Sequence, residues 1–151
     1  MPSFTKGDVT IQYEEKGSGF PLLVTPGGGL NSVAGGWPRQ VINVFEDLSD
    51  EFRCITMDQR NAGGGSTGPV QVDDPWGAFA DDQLSLLDHL GVQQFGFIGF
   101  CTSLKNATLM GMLQESPFNA IMPYGECAQA QMDTAHVHEI KVAFSLKDIF
   151  H

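Results

Sequence analysis

The chain reads as an α/β protein, a mostly parallel sheet with helices on both faces, entered through an antiparallel N-terminal hairpin. Three observations predict this class. Residues 21–25, 52–57 and 94–100 read as strands, and the apolar runs at 21–25 and 94–100 suit strands buried within a parallel sheet. Helical patterns fall between them, and strands alternating with helices through short links imply a parallel sheet. Loops rich in glycine or polar residues follow the runs, so they gather at the carboxyl ends of the strands, where ligands bind in such sheets.

The elements follow in order. Phe4-Thr5-Lys6 and Val9-Thr10-Ile11-Gln12-Tyr13 flank Gly7-Asp8, and the second alternates apolar and polar with period two, which predicts a hairpin. Lys16-Gly17-Ser18-Gly19 ends it. The strand at 21–25 runs into Pro26-Gly27-Gly28-Gly29. Pro38 is expected to open a helix with Val41, Ile42, Phe45 and Leu48 on one face, and Trp37 before it is a packing residue. The strand at 52–57 carries Cys54, read as an inert core thiol, and leads into Asp58-Gln59-Arg60-Asn61-Ala62-Gly63-Gly64-Gly65-Ser66. An Asp and an Arg directly beyond a buried strand must be paired, so they are expected to lock this loop by charge-assisted hydrogen bonds. Asp74-Pro75 supplies the cap and first residue of a helix running through Phe79, Leu84, Leu87 and Leu90 to a stop at Gly91. His89 reads as a helix-end charge.

Composition bounds the function. With 151 residues and 42% hydrophobic content, one domain with a real core is expected. A net charge of −10 would repel phosphodiester backbones and anionic membranes, so neither nucleic acid nor membrane is expected as a partner. The acidic knots Asp73-Asp74 and Asp81-Asp82 read as solvated surface. The three cysteines, Cys54, Cys101 and Cys127, have neither disulfide nor metal-ligand spacing, and no long apolar run or leader is present. The expectation is a soluble cytoplasmic protein with no metal and no cofactor.

The run at 94–100 ends in Gly99-Phe100-Cys101-Thr102-Ser103, a strand, a sharp turn and the start of a helical segment. A side chain held at such a turn projects out of the sheet while the backbone N–H groups that follow point at an incoming oxyanion. A Gly-x-Cys closing a buried strand also fits a core cysteine. The glycines at 27–29 either leave backbone N–H groups free for an oxyanion or form a loop needing positive φ; the phosphate-binding G-x-x-x-x-G-K-[ST] pattern is absent.

Together these motifs resemble the α/β-hydrolase family over residues 1–103, its N-terminal half. Pro26-Gly27-Gly28 stands where the family has its oxyanion loop. Asp58-x-Arg60-Asn61-Ala62-Gly63 is similar to its D-x-R-G-x-G-x-S loop, with Asn61 for the first glycine and Ser66 one place late. Gly99-Phe100-Cys101 resembles the G-x-S-x-G elbow, with cysteine for serine and Ser103 for the last glycine. A cysteine there is similar to dienelactone-hydrolase-type members. The resemblance implies a partial α/β-hydrolase fold in which a Cys101 thiolate attacks a small uncharged ester, lactone or thioester and the N–H groups of Gly28 and Thr102 hold the oxyanion.

Acid and base should follow the nucleophile in chain order. Glu126 or Asp133 as acid and His136 or His138 as base satisfy it, and Glu126 with His138 is the pair carried forward. Alternatively the histidines are exposed tail residues. Residues 104–151 are expected to be a divergent helix, strand and tail with room for poor order, including a strand near 119–122 and another near 140–144. The absence of the family's later strands predicts a truncated or impaired hydrolase whose open sheet edge favours self-association. The competing expectation is a non-catalytic remnant serving as a binding module.

Overall fold

The computed structural model describes residues 1–40, 42–100 and 118–124. Strands β1 (Ser3–Lys6) and β2 (Val9–Lys16) pair antiparallel, turning at Gly7 with φ +59°. Strand β3 (Phe20–Thr25) follows, then the one-turn helix α1 (Val44–Asp47) and strand β4 (Phe52–Met57). Helix α2 (Pro75–His89), strand β5 (Phe95–Phe100) and strand β6 (Phe118–Tyr124) complete the order. The six strands form one sheet in the order β1-β2-β4-β3-β5-β6. Strand β2 meets β4 antiparallel, and β4, β3, β5 and β6 run parallel, which is the predicted class.

Successive residues of a strand face opposite sides of the sheet, so an unbroken apolar run supplies two cores. Leu23, Ile55, Met57, Phe95 and Phe97 meet Ala80, Leu84, Leu86 and Leu87 of α2 on one face. Leu22, Val24, Cys54 and Ile98 meet Trp37, Val44 and Phe45 on the other. Burying each large apolar side chain contributes roughly 1.5–3 kcal/mol, so this double facing is what makes so short a sheet stable.

Helix α2 starts and stops where predicted. The Asp74 carboxylate accepts the Gly77 N–H at 2.9 Å, Pro75 occupies the first turn, and Gly91 leaves the helix at φ +69°. In the last turn the exposed His89 ring stacks on Phe4, centroids 5.0 Å apart.

The expected helix from Pro38 is corrected. Pro38 lies inside a 3-10 segment, Ala34–Arg39, that ends in an extended Gln40. The fixed φ of proline suits a 3-10 turn as well as an α-helix. The buried Trp37 pins that turn by donating its indole N–H to Thr56 Oγ1 at 2.9 Å. A second start signal, Asn43, caps α1 by accepting the Glu46 N–H at 3.3 Å. Phe45 therefore reaches the core and Leu48 packs against it, whereas Ile42 is exposed; Val41 lies outside the described residues.

Asp82 is the second correction. It is buried, not solvated, and takes two hydrogen bonds from Arg60, Nε to Oδ2 at 2.9 Å and Nη2 to Oδ1 at 2.6 Å. Phe79, Asp82 and Leu86 stand three and four positions apart and share one helix face, so a carboxylate on that face points inward. Burial pushes the Asp82 carboxyl above the ordinary aspartate range, and the hydrogen bonds and charge of Arg60 pull it back.

Replacing Arg60 by alanine strands that carboxylate. Arg60→Ala is expected to cost about 3–5 kcal/mol at neutral pH, and adding Asp82→Ala should recover part of the loss. With only burial acting, the folded state of Arg60→Ala binds a proton at Asp82 that the unfolded state has released. Its deficit against wild type should therefore deepen as pH rises from about 4, the unfolded aspartate value, through the raised folded value. Urea unfolding at several pH values measures both trends, and a deficit that shrinks with rising pH contradicts them.

Candidate functional site

The strand order reverses beside β3. Strand β4, which follows β3, lies on one side of it, whereas β5 and β6 lie on the other. This is the topological switch point, where open α/β sheets bind ligands. Thr25, the last residue of β3, stands opposite Gly99 in the parallel register. The segment carrying Gly28 thus leaves the sheet beside the end of β5, the strand that directly precedes Cys101 in sequence.

Beyond Thr25 the backbone is closely held. Gly28 has φ +145°, and a Cβ there would stand 3.1 Å from the Ser32 nitrogen, so the position requires glycine. Its carbonyl accepts the Asn31 N–H at 3.0 Å and closes the 3-10 turn Gly29–Asn31. Ser32 Oγ donates back to the Pro26 carbonyl at 2.8 Å, and the Gln59 N–H donates to the Ser32 carbonyl at 2.9 Å.

Asp58 completes the connection between the two loops. Its Oδ1 accepts the Ala34 N–H at 2.8 Å, and a Cβ on Gly64 would run into its carboxylate. The expected lock by charge-assisted bonds is present, with Ala34 as the partner of Asp58 and Asp82 as the partner of Arg60. Asn61 stands at φ +61°, where asparagine replaces glycine at least cost. Its side chain also bonds Gly68 in both directions, Nδ2 donating to O at 2.9 Å and N donating to Oδ1 at 3.2 Å.

Of the predicted site residues, Gly28 is placed at the end of β3 as described. Cys101, Thr102, Glu126 and His138 lie outside the described residues, as do Ser103, Cys127, Asp133, His136 and the expected strand near 140–144. The strand expected near 119–122 is β6, paired with β5. Among the described residues no group of three or more His, Cys, Asp or Glu could hold a metal ion, and no helix is long and apolar enough to cross a membrane.

A profile of the alpha/beta hydrolase fold family matches residues 21–102, from Pro21 in β3 to Thr102. The chain belongs to the alpha/beta hydrolase fold family. A Synechocystis protein provisionally named non-heme chloroperoxidase is 30% identical over 113 residues, 72% of this chain and 38% of that protein. An Agrobacterium fabrum protein provisionally named carbamate hydrolase RutD is 36% identical over 70 residues, 46% of this chain and 26% of that one. Among solved structures, a thermophilic esterase from Thermogutta terrifontis superposes with a TM-score of 0.64 at 27% identity, covering 80% of this chain and 42% of the esterase. The chain thus spans less than half the length of these hydrolase-fold relatives.

Cys54 makes a useful contrast to the proposed nucleophile. It is fully buried in β4, and burial pushes its thiol up to about 11, with the charge of Lys16 opposing that rise. Alkylation by iodoacetamide at pH 8 is therefore expected to spare Cys54 in the folded protein and modify it on unfolding in urea. Peptide mass spectrometry reads the site directly, and rapid native labelling of Cys54 contradicts this burial.

Proposed function

We propose that this chain hydrolyses small uncharged esters, lactones or thioesters through Cys101. The observation that supports the reading is the switch point between β3 and β5, where the Gly28 segment leaves beside the end of the strand that directly precedes Cys101 in sequence. Membership of a hydrolase-fold family and the likeness to an esterase support the reaction class.

A thiol of ordinary pKa, about 8.5, is only slightly ionised at neutral pH and must be activated. In this reading His138, oriented by Glu126, takes the proton as Cys101 Sγ attacks the carbonyl carbon. The negative charge that develops on the carbonyl oxygen is held by the N–H groups of Gly28 and Thr102. Collapse of the tetrahedral intermediate expels the alcohol or thiol, which takes the proton from His138, and water then cleaves the thioester left on Cys101. Such chemistry requires a reduced thiol, in keeping with a cytoplasmic setting.

Turnover of p-nitrophenyl acetate by wild type and Cys101→Ala tests the assignment. Loss of turnover in the variant is expected, and indistinguishable traces would favour a non-catalytic binding module. Cys101 should also alkylate with an apparent pKa below the ordinary thiol value. Because Gly28 holds its N–H by a backbone that alanine cannot adopt without strain, Gly28→Ala is expected to lower kcat by roughly 10²-fold, the effect of losing one oxyanion donor. Alkylation of Cys101 in Gly28→Ala should keep its wild-type rate; a parallel loss would mean that the substitution disturbed the elbow instead.

The same reading includes self-association through β6, which ends the sheet of described residues. An unpaired edge strand is a template for a second chain. Size-exclusion chromatography should show a dimer or larger species, and a clean monomer would rule the association out.

A further inference from the structure

A second feature lies beside the Gly29–Asn31 turn. A cavity of about 330 Å³ opens between that turn, the loop leaving β4 and the first turns of α2. Its floor is the buried Phe79 ring and the Arg60 side chain, Ala78 forms a half-buried wall, and Leu30, Pro69 and Val70 make an exposed rim. The volume falls in the range of small-molecule sites, at its lower end.

The one charged side chain lining it is already committed. Arg60 gives Nε and Nη2 to Asp82 and donates Nη1 to the Pro69 carbonyl at 3.1 Å, so its charge is neutralised within the fold. An anion entering here would lose water without gaining an unpaired cation, whereas an apolar chain would cover Phe79, Leu30 and Val70. Leu30 and Val70 are 59% and 77% exposed, which leaves apolar surface at the mouth for such a chain to bury.

We propose that this cavity is the subsite for the unbranched apolar chain of an uncharged acyl substrate, reached across the turn that begins beside Gly28. The proposal rests on the hydrolase reading for its placement beside a reacting carbonyl. It narrows the substrate class to esters with a chain of several carbons. Gly28 and Leu30 belong to one turn, closed by the Asn31 to Gly28 hydrogen bond, so the rim residue Leu30 stands two positions along the chain from the proposed oxyanion donor.

The test begins with binding, which needs no turnover. The fluorescent probe N-phenyl-1-naphthylamine, titrated into the whole chain, should bind and be displaced by ethyl hexanoate, but not by hexanoate anion at the same concentration. Val70→Asp, at an exposed rim position that the fold tolerates, and Ala78→Trp, which fills the cavity from the helix, should each weaken displacement at least tenfold. Equal displacement by the anion, or wild-type binding in both variants, overturns the proposal. With p-nitrophenyl esters from acetate to hexanoate, kcat/KM should rise about fourfold per methylene, and Val70→Asp should flatten that rise. If no ester is turned over while displacement behaves as expected, the hydrolase reading fails and the cavity stands as an apolar-chain site.

Discussion

The buried pair of Arg60 and Asp82 is the interaction on which the carboxyl end of the sheet depends. It fastens the loop leaving β4 to helix α2, and through Gln59 and Asp58 that loop in turn holds the segment leaving β3. A buried ion pair is a poor source of net stability, because desolvating both charges offsets most of their attraction. Its value here is geometric. The two bonds from one planar guanidinium to one carboxylate fix distance and orientation together, so the polar loops above an apolar sheet have a single arrangement.

The two faces of the sheet divide the work. Residues of β3, β4 and β5 alternate between the α2 core and the Trp37 core, so the strands cannot slip by one residue without exchanging their entire buried sets. That constraint puts Thr25 opposite Gly99 and brings the ends of β3 and β5 together. Cys54 is enclosed within β4, where burial penalises the thiolate, while Cys101 follows directly after the end of β5.

Much of this was legible in the sequence. The hairpin, the strands at 21–25, 52–57 and 94–100 and the cap of α2 follow from local chemistry: period-two alternation, unbroken apolar runs and an Asp-Pro start. The helix expected from Pro38 failed because its boundary was set by a tertiary contact, the Trp37 to Thr56 hydrogen bond, that no local pattern announces. The burial of Asp82 was recoverable, since its spacing from Phe79 and Leu86 places it on the inward face. Of the two readings of the glycines at 27–29, the one that the backbone bears on is the loop needing positive φ, which Gly28 has. For residues 101–117 and 125–151 nothing in the spacing says which side chains meet.

The pairing of β3 with β5 has a consequence for how the protein is made. Strand β4 is the nearer partner of β3 in sequence, whereas β5 must pair with β3 across everything between Leu22 and Gly96. Contacts of such long sequence separation are slow to form. On a growing polypeptide the early strands therefore await a late partner, with one side of β3 open to whatever else has strand edges. The step that joins β5 to β3 is also the step at which misassembly competes, so a chaperone that shields β3 would raise the yield of folded chain.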